Sequence, residues 1–466
     1  MKEWCEYVLS LCKDVEYAEA RAESSQESGF ATKNGLPEVS SYEQIDGIGV
    51  RIKHKGHMGF FSTNKLEKPV IKNMVQSTIA MLSKKAKAHV TEFSQEKPHT
   101  AHYEIKPKKD GSNLSFEDFN NILKDIDKSV MATKVKIPSR QLSIGYRMTN
   151  KFYMNSEGAN ISSSLPQTTF FWFLTVKQGS HTIQKYMAYD EKRGLEALNL
   201  WNLHEEIPAF AKKMNNILLE GRRTPSGTFS VILGPEVSGI TSHESVGHPY
   251  EADRILGREA AQAGTSFIHP DMLGKQIGSE IVTVCDDPTI PHSAGFYLYD
   301  DEGVQAHKRT LIKKGMINEF LHNRETAAQF NCQSNASSRA SSFQFEPLVR
   351  MANTYIEPGD FTPEEIVRET KEGIYLKNFT EWNIDDMRLN QKYVGLEAYY
   401  VKNGEIQFPI RNPVLEITTP TFWKSIDAIG HDLEHFTGSC GKGEPMQGIP
   451  VYLSGPTIRL SNIKIK

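Results

Sequence analysis

The chain of 466 residues has no run approaching the ~20 consecutive apolar residues that a membrane-spanning helix needs, so no span is expected. It also lacks the apolar core of a secretory signal. Residues 1–14 mix Trp4, Tyr7, Val8, Leu9 and Leu11 with Lys2, Glu3 and Glu6, the pattern of an amphipathic helix. Cysteine is scarce and odd in number, with Cys5, Cys12, Cys285, Cys332 and Cys440 scattered along the chain. That argues against a disulfide framework and for a reducing cytoplasm, with free thiols that are mostly buried small hydrophobes. An excess of one charge is missing too: 54 basic residues face 57 acidic ones, for a net charge of -3. Electrostatics therefore gives no reason to expect a nucleic-acid or membrane surface. The short basic runs Lys84-Lys85-Ala86-Lys87 and Lys106-Pro107-Lys108-Lys109 read as a solvated helix end and a linker. There is no internal repeat and no low-complexity segment.

What is present is a mixed pattern, and the length calls for two or three domains. The fold class expected is α+β: an N-terminal α/β-mixed part and a strand-rich C-terminal domain. The divisions expected are an α+β subdomain over 1–98, a second over 113–222, and a β-rich catalytic domain over 223–466. In the first, residues 17–25 are a weak strand, Asn34-Gly35 a turn, and residues 47–62 alternate around a turn at Gly56. Helical spacing follows over 66–88, then a Lys- and Pro-rich linker over 95–113. In the second, Ser115 to Asp118 predicts a capped helix running to about Ala132. Strands follow at 141–148, 151–155 and 168–176, then helical sequence over 194–220 broken or kinked at Pro208. Phe170, Phe171, Trp172 and Phe173 suit either a buried core strand or a dimer surface. The third begins with a strand at 228–233 and ends on alternating Ile458, Leu460, Ile463 and Ile465.

The chemistry concentrates in residues 239–253, GITSHESVGHPYEAD. His243, Glu244 and His248 suggest a zinc site with a general base. Neutral imidazoles ligate zinc, the metal brings a water's pKa toward ~7, and a neighbouring carboxylate can take its proton. The histidines are at i and i+5, about 140° apart on a regular helix rather than the ~40° of an i, i+4 pair. Convergence therefore requires a one-residue π-bulge, or a helix that ends as His248 is reached. Gly247 and Pro249 favour such an irregularity. A third ligand is needed, and His269, His292, His307, His322, His431, His435, Cys285, Cys332, Cys440 and the carboxylates are all open to it. Cys440 stands out in Gly438-Ser439-Cys440-Gly441-Lys442-Gly443, read as a glycine-rich loop. Asp300, Asp301 and Glu302 could form a second, oxygen-ligand site, but their turn setting favours solvated turn residues.

These residues, taken with several further stretches in order, resemble the TldD/PmbA metallopeptidases. The stretches are Val231 to Pro235 followed by His243 to His248 and Glu251-Ala252-Asp253, then Asp287 to Pro291 and Asp300 to Gly303. Arg350 to Tyr355, Gly373 to Tyr375, Cys440-Gly441-Lys442 and Gly455-Pro456-Thr457 complete the series. The resemblance implies that His243, His248 and Cys440 hold Zn²⁺ and that Glu244 is the catalytic base. It points to the TldD branch, because the PmbA (TldE) branch lacks these residues. It also implies a homodimer, or a heterodimer with a non-catalytic family subunit, that encloses the site and admits small or unfolded peptides. Such peptides could pair with a sheet edge and be read only loosely. Pro249 and Ala252 stand where the family commonly has glycine, which bears on the local helix geometry.

Two other readings compete. One is a non-catalytic regulatory or binding subunit of the same family, of the gyrase-modulator type. The intact His243, Glu244 and His248 set argues against it, and the balanced charge argues against nucleic acid. The other is a zinc amidase acting on small molecules.

Overall fold

Local rules account for the first elements of the computed structural model, which describes residues 1–85, 90–259 and 265–465. The amphipathic start is the helix Lys2–Leu11, which buries Cys5 and Val8. Strands Tyr17–Lys33 and Leu36–His54 are joined by Asn34 and Gly35, with φ of 52° and 80°. That left-handed region is the one Asn and Gly enter at least cost. A turn at Lys55 and Gly56 leads to His57–Thr63, and helix Lys68–Ser83 follows. The part of the expected helix and basic run at 86–88 lies outside the described residues. Ser115 caps Phe116–Met131: its hydroxyl accepts from the Asp118 N–H at 3.2 Å, and Asp118 accepts from the Ser115 N–H at 2.9 Å.

Two local expectations need correction. The presumed linker 95–113 contains the strand Thr100–Glu104, which pairs in parallel with Asn160–Gln178. A long neighbouring strand supplies its hydrogen bonds, so its five residues need no apolar period of their own. The helical region 194–220 is interrupted at Asn202, whose φ is 46°, and not at Pro208. Pro208 sits inside helix Leu203–Glu220, which gives up one backbone bond there while burying Ile207, Ala211, Met214 and Ile217.

One seven-stranded sheet runs in the order His57–Thr63, Leu36–His54, Tyr17–Lys33, Ser139–Asn155, Asn160–Gln178 and Thr100–Glu104. His181–Glu191 also pairs with Asn160–Gln178. Along Asn160–Gln178 the strand alternation sends Phe170 and Trp172 into the core beneath helices Phe116–Met131 and Leu203–Glu220. Phe171 and Phe173 therefore stand on the other face.

The C-terminal half holds a six-stranded and a ten-stranded sheet. In the six-stranded one, Asn353–Ile356 pairs in parallel with Gln447–Gly455, and Glu434–Lys442 closes the edge. In the ten-stranded one, Gly227–Leu233 is flanked by Glu372–Leu376 and Ile458–Ile465. Its last residues turn at Gly234 into helix Pro235–Ser242, which lies on strand Gln447–Gly455. The approach is close because two positions carry no side chain: a Cβ at Gly239 would sit 2.8 Å from the Leu453 carbonyl oxygen, and one at Gly455 would strike Ser238. The helix is thus seated directly on the pair of strands that carries Cys440. Among the described residues, no helix is long and apolar enough to cross a membrane.

Candidate metal centre

The i, i+5 spacing is resolved by the backbone. Regular α-helix ends at Ser242, residues His243–Gly247 form a π-helical turn, and His248–Tyr250 a 3-10 turn. The His248 N–H bonds to the His243 carbonyl, five residues back. The wider turn brings both imidazoles to one side, with ring centroids 4.8 Å apart and planes at 80°. Gly247 fits because a Cβ there would collide with the Met351 sulfur at 2.5 Å. Pro249 is the second residue of the 3-10 turn, near its start, where a missing N–H costs little.

Cys440 completes the group from 192 residues away, its Sγ 3.4 Å from His248 Nε2. It does so from strand Glu434–Lys442 and not from a loop, a correction to the sequence reading. The glycines around it serve close packing across the strand pair, where a Cβ at Gly438 would lie 2.8 Å from Leu453. The ligand atoms of His243, His248 and Cys440 all fall within 4.8 Å of one another, the one such cluster among the described residues. All three residues are buried.

The other candidate ligands are engaged elsewhere or exposed. The Nδ1 atoms of His292, His322, His431 and His435 lie 3.0, 3.2, 3.0 and 2.8 Å from oxygen atoms of their own surroundings. His269, His307 and Cys332 are exposed, and Cys285 faces Glu357. The triplet Asp300, Asp301 and Glu302 forms no metal-ligand cluster among the described residues and is not a set of freely solvated turn residues. Asp300 Oδ1 accepts the N–H groups of Glu302 and Val304 at 3.0 and 2.9 Å. Asp301 accepts from Ala340, and Glu302 is paired with Arg51 at 2.7 Å. The chain folds back over this turn and buries Asp300 and Glu302.

The residues fit a zinc ion on their own chemistry. Tetrahedral zinc with Zn–S of about 2.3 Å and Zn–N of about 2.05 Å separates sulfur from nitrogen by about 3.5 Å, against the 3.4 Å here. Burial holds both His243 and His248 below the usual imidazole range, in the neutral form that ligates metal. Burial would raise the Cys440 thiol, but His248 and the Arg350 guanidinium draw it down to about 7. His243 Nδ1 is buried without a hydrogen-bond partner, an orphan that calls for a ligand.

Residues that sequence reasoning did not assign complete the site. Glu251 Oε2 lies 3.2 Å from His248 Nδ1 and 3.1 Å from the buried ammonium of Lys442. An Nδ1–H donated to Glu251 leaves the Nε2 lone pair facing Cys440. Its signal was the i, i+3 spacing from His248. Lys442 also donates to Asp253 at 2.7 Å and to the Val349 carbonyl at 2.8 Å, tying the cysteine strand to the histidine segment. Arg388 donates to Glu244 Oε2 at 2.6 Å across 144 residues, and no local pattern announces it.

Two buried histidines, a cysteine and an adjacent glutamate thus form a candidate metal centre, and the comparisons show which family carries this fold. Residues 18–82, 109–219 and 226–466 match, in turn, domain 1, the central domain and the C-terminal domain of the PmbA/TldA metallopeptidases. The chain belongs to this family. It is 30% identical to a protein of Methanocaldococcus jannaschii named a metalloprotease, over 97% of this chain and 98% of that one. It is 26% identical to the zinc metalloprotease TldD homolog of Saccharolobus solfataricus, over 90% of each. The crystal structure of TldE from Thermococcus kodakarensis shares the fold with a TM-score of 0.76 at 16% identity, covering 100% of this chain and 99% of that one.

Proposed function

We propose that this chain is a zinc peptidase of the catalytic, TldD branch, with His243, His248 and Cys440 as ligands and Glu244 as general base. The observation that carries the reading is the convergence of three buried donors, His243, His248 and Cys440, within 4.8 Å of one another beside Glu244. Zinc bound there supplies a Lewis acid for the carbonyl and makes a nearby water more acidic. Glu244 takes a proton from the attacking water as the C–O bond forms. It then hands that proton to the amide nitrogen as the C–N bond breaks. Arg388 anchors the Glu244 carboxylate, and Glu251 fixes the tautomer and tilt of His248. Small or unfolded peptides are the substrates, and a homodimer or a heterodimer with a non-catalytic family subunit is the working form.

The test is zinc content together with peptide turnover. Near-stoichiometric zinc is expected in the purified wild type and loss of it in His243→Ala. Glu244→Gln is expected to keep zinc and lose roughly 10²–10⁴-fold in turnover. A wild type that takes up no zinc on reconstitution, or undiminished cleavage by Glu244→Gln, ends the reading.

A further inference from the structure

A cavity of about 610 Å³ opens beside His243 and Glu244. Its walls carry six aromatic rings, those of Phe171, Phe173, Tyr186, Phe379, Trp382 and Phe436. Phe171 and Tyr186 are stacked, with ring centroids 6.0 Å apart and planes at 28°. The sheet face that bears Phe171 and Phe173 is turned away from the core packed around Trp172. An antiparallel sheet face outside its core is ordinarily polar, so aromatic side chains there point to an apolar occupant.

The charges in the wall are already spent. Lys185 is paired with Glu236, donates to the Phe379 carbonyl at 3.1 Å and sits 4.8 Å from that ring centroid. Glu244 is held by Arg388. A charged side chain entering the cavity would give up water and find no free counter-charge, a large cost. An apolar one would gain in proportion to the area it buries. The volume falls in the roughly 300–1,000 Å³ range of ligand pockets and accommodates an aromatic residue with part of its neighbour.

We propose that this cavity is a specificity pocket for an apolar side chain, aromatic or branched aliphatic, next to the bond that is cleaved. The inference rests on the peptidase reading and adds a side-chain preference to it. Backbone pairing alone would read peptides loosely.

Binding and cleavage are measured separately, so that the two ideas fail separately. Zinc-loaded Glu244→Gln chain is titrated by calorimetry with capped pentapeptides of alanine whose central residue is Phe, Leu, Ala, Asp or Lys. The Phe and Leu peptides are expected to bind about tenfold or more tightly than the Ala peptide, and the Asp and Lys peptides no more tightly than Ala. Trp382→Ala in the same background is expected to erase the preference for Phe over Ala. Tyr186→Ala, at a residue 54% exposed and so tolerant of truncation, weakens the same preference if the Trp382 variant does not fold. Equal binding of all five peptides, or binding of none, overturns the pocket even if the wild type cleaves every peptide. A preference for Phe and Leu in binding, with no cleavage by zinc-loaded wild type, upholds the pocket and overturns the hydrolase.

Discussion

Two buried polar clusters in this chain are built to opposite ends. Around Arg51, each carboxylate oxygen of Glu19 and Glu302 has a partner. Glu19 Oε1 and Glu302 Oε1 each lie 2.7 Å from the guanidinium. Glu19 Oε2 accepts from Tyr17 at 2.7 Å and Tyr153 at 3.2 Å, and Glu302 Oε2 from the Arg324 N–H at 2.8 Å. Arg324 in turn grips Glu157 with two bonds, at 2.7 and 3.0 Å. Around His243, three donors converge, with Cys440 Sγ 3.4 Å from His248 Nε2, and His243 Nδ1 is buried without a partner. A closed cluster holds strands from the two halves of the chain together. An open one leaves a donor to spare, as the proposed zinc site requires. Of the first cluster, the sequence offered only Glu302, with Asp300 and Asp301, as a less favoured cation site; hydrogen-bond accounting separates the two clusters.

The contrast can be broken most forcefully at Arg51. Arg51→Met strands two buried carboxylates and is expected to cost about 3–5 kcal/mol of unfolding free energy, read by denaturant titration, with zinc content per folded chain unchanged. Cys440→Ala should do the reverse. Zinc affinity falls by more than the roughly 10–100-fold typical when a residue behind a ligand is lost, while the metal-free chain unfolds at nearly the same denaturant concentration. Added zinc should raise the unfolding temperature of the wild type and not that of the variant. If Cys440→Ala instead collapses the metal-free fold, the open cluster is structural after all. Glu251→Gln sharpens the comparison inside the open site, with zinc affinity expected to drop roughly 10–100-fold. Retention of full affinity would release Glu251 from its role behind His248.

The smallest effect is in acid. Burial pushes the Glu19 carboxyl up, but Arg51 and Tyr17 outweigh it and hold the group below the ordinary carboxylate range. A depressed folded value stabilises above the unfolded value of about 4.3 and is lost as pH falls through the folded one. The unfolding free energy of the wild type, less that of Glu19→Gln, should therefore be flat above about pH 5 and shrink below about pH 4. A difference that grows in acid would contradict the ion pairing.

Legibility in the sequence followed the range of the interaction. Asn34-Gly35, the Ser115 cap and the irregular turn after His243 are decided within a few residues, and local chemistry read them. Cys440 was visible only as a thiol among glycines, because a close-packed edge strand and a loop share that composition. Arg388, which reaches Glu244 through a hairpin turn, leaves no trace in any local period. Nor does the pairing of Tyr17–Lys33 with Ser139–Asn155, since register between distant strands is set by the core they share. The Asp300 turn was recognised as a turn, yet what covers it comes from far along the chain, from Arg51, Tyr153, Arg324 and Ser338.

The π-helical turn also makes the site sensitive to chain length. Deleting one residue from 244–247 would bring the histidines to the i, i+4 spacing of a regular helix. It would also draw everything downstream back along the helix axis by one residue's rise, ~1.5 Å. Glu251 and Asp253 would keep their spacing from His248 but shift with it against Lys442, which grips them from the cysteine strand. In an insertion–deletion library, residues 243–253 should therefore behave as a fixed-length word: it can be respelled at several letters, as Pro249 and Ala252 already do, but it cannot be shortened.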